Sequence, residues 1–230
     1  MNSTRKAAII VGVLFITATV AYSLGDYFLN LILGGSDYLT KASANENQVI
    51  IGALLVLIDS VAVAGIGIVI YPILKKHNET SAFGYAGARI AEGVLFSVTV
   101  IPILTLLTLS KEFVMAGAPD ASYYQTLGTL LIAAGDWAFL LGFGVAFTLS
   151  ALILNFVLYQ SKLVPRWLSG WGFVGAVLLW VYYLLQFFSI NQEILFLPIA
   201  VQEMVFAVWL IVKGFNPSAI ASGSAKTDMN

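Results

Sequence analysis

The chain has 230 residues, a mean hydropathy of +0.92, 60% hydrophobic residues and only 10% charged ones. Soluble domains average about 45–50% apolar and about 25% charged, so a water-soluble globule is excluded. A net charge of −1 with one histidine leaves no basic field for nucleic acid, and the lack of cysteine removes disulfides, thiolate metal sites and cysteine nucleophiles.

A spanning helix needs about 20 apolar residues, and six stretches meet that length: 7–33, 49–74, 84–109, 126–159, 169–188 and 194–211. The first follows Arg5 and Lys6 as a signal peptide would, but its helical pattern runs on through Tyr22 and Tyr27 to Leu33, too long for a removable segment. It reads as a retained anchor. The fourth is over-long for one span and too short for two with a turn. It fits one long helix projecting from the membrane, or a surface helix broken at Gly135 that feeds a span.

The basic residues choose the count. With six spans, Arg5, Lys6, Lys75, Lys76, Lys162, Arg166, Lys213 and Lys226 fall on the side of the termini, and only Lys41 and Lys111 fall opposite. Seven spans would weaken that bias. The expectation is an all-α, polytopic six-transmembrane-helix bundle in a prokaryotic cell membrane, with both termini cytoplasmic. Residues 1–215 form one domain and residues 216–230 a short polar cytoplasmic tail. No loop is long enough to hold a soluble catalytic domain, so any activity is built from the helices.

Four acids and one base fall inside or against the spans: Asp59, Glu92, Asp136, Glu203 and Arg89. An ionised group near the bilayer midplane costs at least about 2.5 kcal/mol, and such groups survive by facing inward, pairing, neutralising or meeting water. Arg89 and Glu92 are spaced i, i+3 on one helix face and can pair. Asp59, Asp136 and Glu203 are then left without an evident cation. They are either carried neutral as interhelical hydrogen-bond glue, or they serve a cation or a wet cavity. Gln202 and Glu203 are helix neighbours about 100° apart, so they serve different surroundings.

Pro102 and Pro198 are expected to kink the third and sixth spans. A weak echo links Asp59 and Gly65-Ile-Gly67 in the second span to Asp136 and Gly142-Phe-Gly144 in the fourth, as a parallel repeat of hairpins would. Small-xxx-small pairs (Gly84/Ala88, Gly87/Ala91, Gly142/Ala146, Gly172/Ala176) allow close helix approach within the bundle or in a homo-oligomer. The single His77 lies in the loop Lys75-Lys76-His77-Asn78-Glu79. Zinc, bis-histidine haem and facial-triad iron sites therefore lack ligands, and a serine triad would need His77 to reach in from that loop. No cofactor and no metal is expected.

Three segments carry a family likeness: Gly84-Tyr85-Ala86-Gly87-Ala88-Arg89-Ile90-Ala91-Glu92-Gly93, Leu163-Val164-Pro165-Arg166-Trp167-Leu168, and Gln202-Glu203-Met204 through Trp209-Leu210-Ile211-Val212-Lys213-Gly214. With them, the chain from Arg5 to Phe215 resembles the bacterial and archaeal membrane family known as domain of unknown function 4386. The resemblance implies an all-helical prokaryotic membrane protein whose Arg89, Glu92 and Glu203 occupy the family's own polar positions. It implies no biochemical activity.

The expected arrangement brings Arg89, Glu92 and Glu203 together in the inner half with Asp59 close by. The leading functional expectation is a small transporter or membrane-embedded ligand- or ion-binding protein. In it Glu92, Glu203, Asp59 and Asp136 are the candidate binding groups for a proton or a small cationic solute, and Arg89 sets their charge. The alternatives are a non-catalytic scaffold or regulatory subunit, and an intramembrane enzyme acting on a lipid-like substrate. The last lacks a second catalytic group.

Overall fold

The computed structural model describes residues 3–119 and 123–227, and among them no strand occurs. Helix α1 (Ser3–Leu33) is followed by short α2 (Tyr38–Ala44), α3 (Glu46–Lys75) and α4 (Glu79–Met115). Then come α5 (Tyr123–Phe139), a π-helical segment (Leu140–Phe147) and α6 (Thr148–Ser161), continuous as one rod. Helices α7 (Arg166–Gln186), α8 (Leu197–Val212) and α9 (Pro217–Thr227) complete the chain. Six of these units, taking the α5–α6 rod as one and α8 with the turn before it, are long and apolar enough to cross a membrane. The chain is a six-span, all-helical membrane bundle.

The spanning helices close into a ring. Each packs on the next in sequence, and α8 returns to α1. Glycines set the closest approaches. A Cβ on Gly93 would lie 2.6 Å from the Ser60 carbonyl of α3, and one on Gly12 would lie 2.6 Å from the Ala207 carbonyl of α8. Small residues take the place of the hydrophobic driving force that lipid does not supply between helices. Of the four small-residue pairs noted above, Gly87/Ala91 is the one turned outward, and a Cβ on Gly87 would meet nothing within 4 Å.

Both termini lie at one end of the ring, because the number of spans is even. There a continuous core includes Val11, Ile70, Tyr85, Leu158 and Leu210. Arg5 ties the seam between α1 and α8 by donating to the carbonyls of Leu210 (3.0 Å), Ile211 (2.6 Å) and Val212 (3.1 Å). These are C-terminal carbonyls of α8 that have no partner within the helix, and a cation suits them. The polar tail expected after residue 215 includes α9, whose Ala219 is buried against this core.

At the other end the ring is stepped. Helix α4, with 37 residues, is about 56 Å long, whereas α7 with 21 is about 32 Å and α8 with 16 about 24 Å. The excess of α4 is braced by α2 and α5. Ser110 donates to the Leu39 carbonyl, and Tyr38 donates to the Gln125 carbonyl at 3.0 Å. The low side, where α7 turns into α8, leaves the interior of the ring open.

Proline positions differ in part from expectation. Pro102 lies inside α4 and Pro72 inside α3, and both helices continue through them. Pro198 does not interrupt the sixth span: it sits in the first turn of α8, where a missing N–H leaves no helical bond unmade. The over-long fourth stretch is not broken at Gly135. It stays continuous and widens into the π segment four residues beyond Asp136.

Candidate functional site

At the centre of the ring, Arg89 of α4 is 2% exposed and bonded through all three of its guanidinium nitrogens. Its Nη1 donates to both oxygens of Glu92 at 3.1 Å, its Nη2 to Glu203 Oε1 of α8 at 3.3 Å, and its Nε to the Tyr85 hydroxyl at 3.1 Å. The guanidinium carbon lies 5.1 Å from the ring centres of both Phe15 and Phe147, so one cation is held between two aromatic faces with a carboxylate on either side. The bond to Glu203 links two helices that are not neighbours in the ring. A Cβ on Gly67 would stand 2.8 Å from Arg89 Cβ, so glycine at that position lets α3 pass directly over the base of the arginine.

The i, i+3 pairing of Arg89 with Glu92 is present as the spacing suggested. Glu203 departs from the expectation that it lacks a cation: it shares Arg89, and is 18% exposed against 1% for Glu92. Gln202, pointing elsewhere as neighbouring helical residues must, is buried and donates to the Leu168 carbonyl of α7 at 3.2 Å.

Above this cluster lies a cavity of about 500 Å³. Arg89, Glu92 and Glu203 lie along it together with Asp59, Phe15 and Phe147, and it rises past Asp26 to Glu193 at the low side of the ring. Toward the termini it is blind, because the residues a turn or two further on belong to the continuous core. Asp59 is 3% exposed and its Oδ2 has no hydrogen-bond partner. A buried polar atom left unsatisfied is rare enough to need an explanation.

Aromatic rings form the walls. Phe143, in the π segment, sits within 4.5–6.4 Å, centre to centre, of the rings of Tyr22, Phe96, Phe139, Phe147, Tyr183 and Phe196. Phe139, Phe143 and Phe147 recur every four residues, and the wider turn of the π segment keeps that file facing inward; π turns concentrate at functional sites. The Thr148 hydroxyl donates to the Phe143 carbonyl at 3.4 Å, at the end of the π segment.

Asp136 is not brought to the Arg89 cluster. It is exposed on the rod and borders a second cavity of about 470 Å³, which shares Tyr22, Asp26, Phe96 and Phe139 with the first. The segments linked by the sequence echo thus occupy different settings: Asp59 is buried in a regular α-helix, whereas Asp136 is exposed just before the π segment.

Asp26, Tyr22, Tyr183 and Glu193 were not among the residues singled out from sequence. Tyr22 and Asp26 are spaced i, i+4 in the first span, and that spacing was the available signal. No group of three or more histidines, cysteines or acids able to hold a metal ion occurs among the described residues. No match to this chain is found among curated proteins or solved structures. Residues 10–214 match the family described as domain of unknown function DUF4386, and the chain belongs to that family.

Proposed function

We propose that this protein binds a small cation inside the membrane and acts as a small transporter, with Asp59 and Glu203 as the binding carboxylates. Arg89 fixes Glu92 and leaves Glu203 half-committed. The single observation that carries this reading is the charge imbalance of the blind cavity. Asp26, Asp59, Glu92, Glu193 and Glu203 border it against one base, and that base already holds two of them. Asp59 Oδ2, buried at the cavity wall, has no hydrogen-bond partner and is free to meet a ligand there. Asp136 borders the adjoining cavity, on the route to it.

The setting is the cell membrane of a prokaryote with both termini cytoplasmic. Support comes from the basic residues, seven of which, Arg5, Lys6, Lys75, Lys76, Lys162, Arg166 and Lys213, gather at the end of the termini, while Lys41 and Lys111 sit opposite. In that orientation the cavity opens to the outside.

The test is thermal melting of the full chain in lipid nanodiscs against a panel of monovalent inorganic and organic cations at constant ionic strength. At about 100 times its Kd a bound cation adds about 2.7 kcal/mol of stability. At least one cation is expected to raise the melting temperature of the wild type, and the Asp59→Asn and Glu203→Gln variants to lose that rise. No rise with any cation, or the same rise in the variants, overturns the reading.

A further inference from the structure

We infer that the cation taken by this cavity is an organic one, a substituted ammonium with apolar groups, held by Asp59 against the aromatic wall around Phe143. The inference rests on the cation-binding reading above and specifies its ligand.

A bare metal ion is a poor match. Hard cations need about six or more oxygen ligands, or several retained waters. The acids here do not converge as a metal-ligand group, and two of them are already on Arg89. Most of the remaining wall is aromatic and aliphatic carbon, which cannot replace a hydration shell. A weakly hydrated ammonium carrying methyl or aromatic groups needs no such replacement, and it gains from ring faces within about 6 Å.

The protein itself shows how this interior accommodates such a group. Arg89 is a delocalised, weakly hydrated cation, and it rests between Phe15 and Phe147 with carboxylates at its edges. Along the same cavity the elements recur unoccupied by any protein cation. Asp59 offers a buried oxygen with no partner, and Tyr22, Phe96, Phe139 and Phe143 form a stacked set with centres 5.5–6.4 Å apart. A volume of about 500 Å³ lies in the usual range for small organic ligands rather than single ions.

The experiment is isothermal titration of the full chain in nanodiscs, with empty nanodiscs subtracted. The probes are benzyltrimethylammonium, benzenesulfonate and sodium ion. Benzyltrimethylammonium is expected to bind saturably and benzenesulfonate not to bind. Asp59→Asn is expected to weaken benzyltrimethylammonium by about tenfold or more, and Phe143→Leu, which keeps an apolar side chain there but removes the ring, by about 3- to 10-fold. Tyr22→Leu serves in place of Phe143→Leu should the latter not fold, judged by its melting curve.

Equal binding of benzenesulfonate overturns the inference, because an aromatic shape would then suffice without charge. So does an undiminished affinity in the ring-removing variant. Binding of sodium sensitive to Asp59→Asn, without binding of benzyltrimethylammonium, overturns the ligand class and leaves the cation-binding reading standing. Absence of binding by any cation overturns both.

Discussion

Removing the guanidinium of Arg89 strands Glu92 and Glu203, which have no other ion-pair partner among the described residues. Breaking a buried ion pair from one side costs about 3–5 kcal/mol, whereas removing both partners costs far less. Arg89→Met is therefore expected to destabilise by about that amount in denaturant unfolding, and Arg89→Met with Glu92→Gln to recover a large part of the loss. Lys in place of Arg89 is expected to fall short, since one ammonium cannot serve Glu92, Glu203 and Tyr85 in the fixed fork that Arg89 uses. At this scale the sequence was readable where partners are near one another: Arg89 and Glu92 share a helix face by spacing. Spacing does not show that Glu203, 114 positions away, shares the arginine. Its meeting with Arg89 and Glu92 was expected from their polar positions in the spans, and the ion pair itself depends on ring closure bringing α8 to α4.

Among the elements, close helix approach depends on single glycines, and two of them give opposite expectations. In Gly67→Ala the new Cβ would meet Arg89 Cβ at 2.8 Å and Ala86 Cα at 3.4 Å, pushing α3 off α4. A loss of about 1–3 kcal/mol is expected in unfolding experiments. Gly87→Ala faces open space and is expected to be neutral, or to stabilise by up to about 1 kcal/mol through helix propensity. A destabilised Gly87→Ala would contradict the outward placement of that face. Hydropathy and charge bias revealed the spans nearly to their ends, since lipid demands long apolar helices whatever the packing. They did not reveal the π segment, because its residues, Leu140 to Phe147, read as ordinary apolar helix. Pro198 was misplaced for a related reason: the hydrophobic run begins at Ile194, before the helix itself does at Leu197.

For the whole molecule, the stepped ring and the solid core at the end of the termini make the cavity accessible from one side only. The chain has no cysteine, so single cysteines can report this directly. Ser23→Cys, exposed on the cavity wall, is expected to react with a membrane-impermeant thiol reagent added on the side opposite the termini. Ala8→Cys, fully buried in the core at the other end, is expected to stay unreactive from either side. Labelling of both from both sides would mean a through-pore, and labelling of Ser23→Cys from the side of the termini would reverse the orientation. The cavity was beyond sequence reading because its wall draws residues from every spanning helix of the ring, and no window of the chain contains it.

The most direct test of the cation-site account is the melting temperature of Asp59→Asn beside wild type in nanodiscs, with and without the stabilising cation. A binding carboxylate kept unsatisfied in the empty protein weakens the fold it sits in. The account predicts that the amide variant melts no lower than wild type, and higher by about 2–4 °C if about 1 kcal/mol is regained, while its response to the cation disappears. A variant that melts well below wild type and still responds to the cation would show that Asp59 is part of the structural frame, and would contradict the account.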